Sequence, residues 1–416
     1  MQKPLQEAVF SYELRFNLPM DSIISSVKST PSHCALNMPP VRILLAQSED
    51  APAVAAFNDR LRAAGAGGFR LSLNRPFAEY VLGPDCPVRV ERHFVWVDGT
   101  LRGGVVLKRM PFWIAGQGLV EVAFMSYPVS EGVVNREFGF LGLTILKHVV
   151  RTHPRVYGLG AGGLDQPVAR LMVAAGWQAR PVPFRFAVFR ARPFLRQIEY
   201  LRRRGRAWRW LGDVAAATGL GNLGLGLFRL AQALVGRRPR TGGGRAEPVS
   251  AWGEWADALW LKAREGYAMI GDRSAATLGG LYPDGHPHLR RLRVMAADGS
   301  TAGWAVMVVA RQRESRFFGN LCLGTLVDCL ASPGREGLVV SHALVEMRRL
   351  GADLAVTNHS AMDVLRACDR AGMLRGPSNY FLFLAPALRA QTAHAEAAGH
   401  SLYLTRGDGD GPINLW

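Results

Sequence analysis

Glycine-bearing landmarks recur in this chain about 200 residues apart, and that recurrence limits the fold more than any other feature. Asp98-Gly99 returns as Asp298-Gly299, Gly103 returns as Gly303, and Ala175-Gly176 returns as Ala371-Gly372 at a slightly shorter interval. Around the first Asp-Gly pair lie two alternating apolar runs, Val88 to Val97 and Leu101 to Met110, which predict a β-hairpin. A second hairpin is expected over Leu289 to Val309. At 416 residues the chain has room for two such halves and a connecting segment.

The elements around each hairpin follow one order. In the first half a strand at Val41 to Leu45 precedes a helix that Ser48 or Asp50 caps and that turns Val54, Phe57 and Leu61 inward. After the hairpin, Leu119 to Val129 alternates as a strand and enters a polar turn with Arg136 and Gly139. Leu141, Ile145, Leu146 and Val149 then recur at helical spacing. A strand near Val156, a helix carrying Val168, Leu171 and Met172, and a closing strand at Phe184 to Phe189 complete the half. In the second half the counterparts are a strand at Phe317 to Leu330, a turn at Ser332 to Gly337, and a helix at Leu338 to Leu350. A strand at Leu354 to Thr357, a helix at Ser360 to Ala371 and a closing strand at Tyr380 to Leu384 follow.

A strand, a glycine turn and a helix N-terminus aim backbone N–H groups and the positive end of a helix dipole at one point, an arrangement suited to a pyrophosphate. The run Arg136-Glu137-Phe138-Gly139-Phe140-Leu141 resembles the Arg/Gln-x-x-Gly-x-Gly/Ala turn of the GCN5-related N-acetyltransferase family. It departs from that pattern at Leu141, the second glycine coming one residue late as Gly142. The chain is thereby identified with tandem members of this superfamily, and is distantly similar to Fem-type transferases.

The resemblance implies an α/β fold of two mixed, mainly antiparallel sheets flanked by helices. It implies acetyl-CoA or another acyl-CoA as co-substrate, bound by Pro128, Val129, Arg136, Phe138, Gly139, Phe140 and Gly142. Glu121 is the candidate general base, with a solvent-facing strand residue as the alternative, and Tyr127 is either the proton donor to the leaving thiolate or a core aromatic. Second-half candidates are Asp328, Gly334, Arg335, Gly337 and Asn358. Asp328 stands in an apolar strand, where a carboxylate is paired, shifted in pKa or functional. Asn358 is either a cofactor neighbour or a helix cap. Arg136 favours the first half as the cofactor binder.

The implied reaction is direct acyl transfer to an amine of a small molecule, an amino sugar or a cell-envelope precursor. A catalytically degenerate binding protein at the membrane face and an aminoacyl-tRNA-dependent transferase are the alternatives. The expected division is an extension at 1–37 without order or secretory signal, halves at 38–192 and 248–388, a basic helical insert and linker at 193–247, and an arm at 389–416. In that arm Leu402, Leu404 and Trp416 are the expected anchors.

Fifty Lys and Arg against 33 acids give a net charge of +17, which points to an anionic partner or to an arginine-rich coding bias. Basic and aromatic residues alternate through the insert, which reads either as helices packed between the two halves or as a pair lying on an anionic membrane surface through 193–245, with nucleic acid disfavoured. Five scattered cysteines without a C-x-x-C pair suggest a reducing, cytoplasmic setting, and the membrane reading of the insert would put the chain on the inner face of the membrane. The ten histidines show no ligand spacing, so no metal is expected.

Overall fold

The computed structural model describes residues 40–73, 79–202 and 205–409; the extension at 1–37, Asp410 and Trp416 lie outside the described residues. The first half contains β1 (Val41–Leu45), α1 (Ala51–Ala63), β2 (Tyr80–Val81), β3 (Arg89–Val97), β4 (Thr100–Ile114) and β5 (Gly118–Ser130). After these come α2 (Leu141–Thr152), β6 (Val156–Gly160), α3 (Pro167–Ala174) and β7 (Gln178–Pro181). Next are β8 (Phe184–Val188) and the helices α4 (Ala191–Gln197), α5 (Glu199–Arg202), α6 (Arg206–Ala217) and α7 (Leu220–Leu234).

The second half has β9 (Arg245–Pro248), α8 (Glu254–Ala263), β10 (Tyr267–Gly271), α9 (Ala275–Leu281), β11 (Leu289–Met295), β12 (Thr301–Arg311) and β13 (Cys322–Ala331). It continues through α10 (Glu336–Arg349), β14 (Leu354–Asn358), α11 (Met362–Arg370), β15 (Leu374–Gly376), β16 (Phe381–Leu384), α12 (Pro386–Ala397) and β17 (Ser401–Tyr403). The expected fold class holds: two mixed, mainly antiparallel sheets are flanked by helices.

The hairpins match in register. Between β3 and β4, Val95 faces Gly103 and Trp96 faces Leu101, so Arg102 is an extra residue on β4. Between β11 and β12, Val294 faces Gly303 and Met295 faces Thr301, which makes Ala302 the extra residue. The turns differ by one residue. Asp98 and Gly99, both at positive φ, close the first hairpin as a two-residue loop. In the second, Ala296 N–H donates to Ser300 O at 2.9 Å, which leaves three residues in the loop.

The closing strands are exchanged, contrary to the expected order. β8 pairs with β14 and β15 in the second sheet, and β16 pairs with β6 and β7 in the first. The sheet orders are therefore β1-β3-β4-β5-β6-β16-β7 and β15-β8-β14-β13-β12-β11-β9. Only Val182-Pro183 lies between β7 and β8. A tight hairpin there needs positive φ at one or both loop residues, which proline cannot adopt and valine disfavours. The chain therefore crosses to the other sheet.

One large core joins the facing sheets, including Phe112, Phe124 and Tyr157 from the first and Trp304 and Leu326 from the second. Leu141, Ile145, Leu146 and Val149 of α2 pack on the opposite face of the first sheet, as their spacing predicts. The final segment lies at the interface: β17 runs parallel to β10, with Leu402 and Leu404 buried.

Candidate functional site

In the first sheet β5 and β6 run parallel, but only Ala123–Val156 and Phe124–Tyr157 are paired. Beyond that point the strands part, and among the described residues no other strand pairs with that edge of β5. On its other edge, Val105 of β4 stands opposite both Tyr127 and Pro128. The resulting bulge breaks the ladder where the strand leads into the turn.

That turn is held from below. Glu131 is buried and accepts from Arg60 at 3.1 Å and Arg102 at 2.9 Å. The Arg102 guanidinium in turn lies 4.4 Å over the ring of Phe138. Asn135 Oδ1 accepts from Glu137 N–H at 3.0 Å. Above this clamp Arg136 and Gly139 are exposed, while Phe140 and Gly142 are half-buried, as is Pro128; Val129 and Phe138 are buried. The first N–H groups of α2 have no intrahelical acceptor and face this exposed turn. Glu131, Arg60 and Arg102 escaped the sequence reading because their pairing spans three separate elements.

Glu121 stands on β5 ahead of the parting point, with both carboxylate oxygens on Arg109 at 3.0 and 3.1 Å. Six residues of strand, roughly 20 Å, separate it from Tyr127. The structure therefore does not bring Glu121 to the turn. Tyr127 itself lies at the bulge.

The second sheet repeats the opening and then fills it. β13 and β14 pair only from Leu323–Leu354 to Thr325–Val356, and Val327 is an extra residue opposite β12. Residues after β17 enter the gap. Thr405 bridges to His359, and Ser360 N–H donates to Leu404 O at 3.0 Å. Asp408 then meets the buried Arg273, whose Nη2 is 2.8 Å from both carboxylate oxygens.

Asp328 belongs to the same cluster. Its Oδ2 lies 2.8 Å from Arg273 Nε, off the hydrogen-bond direction, and accepts from Tyr282 OH at 2.7 Å. Burial pushes Asp328 up to about 6, against the pull of Arg273 and with Asp408 adding to the rise. Two carboxylates thus share one guanidinium in a dry site. Asn358 is committed as well, accepting from Arg406 at 2.7 Å and donating to Val182 O at 3.3 Å. At the second turn Glu336 Oε1 accepts from Gly334 N–H at 2.9 Å, and Arg335 lies 3.5 Å from Asp298. Gly337 is in the first turn of α10, its carbonyl taken by Ser341.

Similar solved structures include acyltransferases. A probable N-acyltransferase from Enterococcus faecalis aligns at a TM-score of 0.47 and 9% identity, covering 85% of this chain and 74% of that one. A GCN5-related N-acetyltransferase from Anabaena variabilis gives 0.45 and 12%, over 83% and 72%. Saccharomyces cerevisiae N-myristoyltransferase with bound myristoyl-CoA gives 0.44 and 11%, over 86% and 81%. No protein-family profile and no curated protein sequence matches the chain.

A further polar cluster lies at the far end of α2. Glu91 and His93 of β3 and His153, which closes α2, converge there. Glu91 is pushed up by burial but held well below the carboxylate range by hydrogen bonds from His153, His93 and Arg109. His148 is driven down by burial and by His93 beside it. No spacing rule finds this group, because its members come from a strand and a helix end about 60 residues away.

Proposed function

We propose that the chain is an acyl-CoA-dependent N-acyltransferase whose first sheet takes the co-substrate. The parting of β5 from β6 next to the bulge at Tyr127–Pro128 and the exposed turn at Gly139 carries this reading. The amides from Phe140 to Gly142 would hold the pyrophosphate, with Arg136 beside them. A backbone N–H of the strand near Tyr127 to Val129 is the candidate to polarise the thioester carbonyl. A neutral amine then attacks that carbon, a C–N bond forms as the C–S bond breaks, and the nitrogen releases a proton to solvent while the leaving thiolate takes one up. Tyr127 is the candidate to donate it.

The acyl group we favour is acetyl, and the acceptor an amine of a small molecule, amino sugar or envelope precursor. We read the two sheets as copies of one unit, supported by the extra residues Arg102 and Ala302 at equivalent places in the hairpins. In the second copy the chain's own residues 404–408 occupy the gap, which favours a degenerate partner half. Calorimetric titration with acetyl-CoA tests the proposal. Saturable binding with acetyl transfer to a model amine is expected, whereas a chain that binds no acyl-CoA would be the degenerate binding protein instead.

We also propose that α6 and α7 seat the chain on an anionic membrane surface. α7 docks by its polar residues: Arg229 donates to Val188 O and Phe189 O at 2.8 and 2.9 Å, and Gln232 to Gly372 O at 2.9 Å. Its apolar residues face outward, Leu223, Leu227, Leu230 and Leu234 being 58 to 80% exposed, and Trp210 of α6 is 65% exposed. Arg206, Arg209, Arg237, Arg238 and Arg240 are exposed around them. A helix turned inside out and ringed with arginine suits the boundary between headgroups and acyl chains. Among the described residues no single helix is long and apolar enough to cross a membrane; α6 and α7 meet at 85°. Flotation with phosphatidylglycerol-containing vesicles is expected, and Leu223→Ser with Leu227→Ser should abolish it. Equal flotation of that variant would refute the surface.

A further inference from the structure

We propose that Glu91, His93 and His153 form a site for one zinc-class transition-metal ion that clamps β3 to the end of α2. The case begins with placement. Glu91 and His93 are two apart on β3 and so share one face of the sheet, while His153 is fixed by being the residue that closes α2. Glu91 Oε1 lies 3.1 Å from His93 Nε2 and 2.8 Å from His153 Nε2, and the three donor atoms all fall within 4.8 Å of one another. Tetrahedral zinc with bonds of about 2.0–2.2 Å holds its ligands roughly 3.3–3.5 Å apart. Small side-chain adjustments bring all three to that spacing around one ion.

The surroundings fit the same assignment. The Glu91 side chain is 6% exposed and the two imidazoles are 12% and 17% exposed, so the donors are largely withdrawn from water. Arg109 occupies the other oxygen, Oε2, at 2.9 Å, which leaves Oε1 to the ion. The charge of Arg109 is itself answered by Glu121 at 3.0 Å and Glu79 at 3.6 Å. His93 Nδ1 is 3.2 Å from His148 Nε2. When Nε2 of His93 ligates, its Nδ1 carries the proton and donates it to His148, the outer contact that orients a metal-bound imidazole. Two imidazoles, one carboxylate and a water form a donor set typical of zinc. The ion would act as a staple: it joins β3 to α2, the helix whose opposite end forms the exposed turn.

The test uses the full chain, stripped with a chelator and titrated with Zn²⁺ alone by calorimetry, with Co²⁺ as a spectroscopic probe. One ion per chain is expected, with the visible bands of four-coordinate Co²⁺ and a raised melting temperature. His153→Gln, checked for folding by circular dichroism, should lose binding, and His148→Gln should weaken it by about 10–100-fold. A double variant of the surface pair His286 and His288, written His286→Gln with His288→Gln, should bind as the parent does. The proposal is overturned by the absence of saturable binding, or by binding that survives His153→Gln and disappears in the surface pair.

Discussion

Arg273 Nη2 is 2.8 Å from both carboxylate oxygens of Asp408, and neither side chain is exposed. The contact ties the last described turn of the chain into the gap between β13 and β14. Lys108 of the first sheet completes the anchorage, donating to Gly407 O at 3.1 Å and Gly409 O at 2.8 Å. Removing the guanidinium that faces both Asp328 and Asp408 strands two buried carboxylates. Arg273→Met is expected to cost about 3–5 kcal/mol in denaturant unfolding, as breaking a buried pair does. A loss below 1 kcal/mol would mean that water reaches the cluster.

Asp328 and His359 make opposite contributions to acid stability. The folded-state pKa of Asp328 is raised to about 6, above the ordinary 3.8, so its favourable contribution is fully present below pH 3.8 and is lost as pH rises through 6. The parent should therefore gain stability relative to Asp328→Asn as pH falls from about 6.5 to 4. His359 is fully buried, and desolvation, followed by the charge of Arg273, lowers it to about 3. Its Nδ1 accepts from Ala361 N–H at 3.0 Å, which fixes the neutral ring. Its contribution is present above pH 6.5 and lost as pH falls toward 3, at up to about 1.4 kcal/mol per unit. His359→Asn should flatten the acid limb of the stability curve, which urea midpoints at pH 4 and 7 will measure.

The glycines that first revealed the recurrence have a physical reason. A Cβ on Gly303 would stand 2.3 Å from Leu330 O, and one on Gly103 2.6 Å from Val129 O. Each glycine lets the hairpin press against the next strand close to its bulge. Alanine at either position should destabilise by about 1–3 kcal/mol through overpacking. The two variants differ in function: Gly103→Ala displaces Val129, which enters the exposed turn, whereas Gly303→Ala disturbs only the filled half. Acetyl-CoA affinity should fall in the first and hold in the second.

Much of the architecture was legible because it depends on local chemistry. The Asp98-Gly99 turn, the inward face of α2 and the recurring glycines each declare themselves within a few residues. The exchange of β8 and β16 was not legible, because Phe184–Val188 and Phe381–Leu384 are both short, apolar strands that either sheet accepts. Their partners are chosen by a two-residue link containing Pro183. The filling of the second gap was equally hidden. Asp328 was singled out as a carboxylate in an apolar strand, but Arg273 and Asp408, which explain it, lie 55 and 80 positions away in opposite directions. The clamp of Glu131 on Arg60 and Arg102 joins residues up to 71 positions apart, beyond the reach of any periodicity.

The two turns also differ in what stands at the helix N-terminus, and that contrast permits a direct test. In the second, the Glu336 carboxylate folds back onto Gly334 N–H and so places a negative charge where an anion would bind. A phosphate arriving there meets repulsion instead of free amides. In the first, Gly139 is exposed in ordinary right-handed backbone, with φ at −57°, and a Cβ there meets only Arg136 O at 3.1 Å. A side chain at Gly139 asks Arg136 O to give by a few tenths of an ångström in this exposed turn, and a large one would cover the amides behind it. Gly139→Trp should abolish acetyl-CoA binding with little change in melting temperature. Arg136→Ala should weaken it by about 1.5–3 kcal/mol, the scale of a hydrogen bond to a charged group. Glu336→Ala should leave both affinity and a stoichiometry of one per chain unchanged, since residues 404–408 still fill that gap. Calorimetry on the three variants decides the matter: two acyl-CoA molecules per chain, or full affinity in Gly139→Trp, would remove the co-substrate from the first sheet.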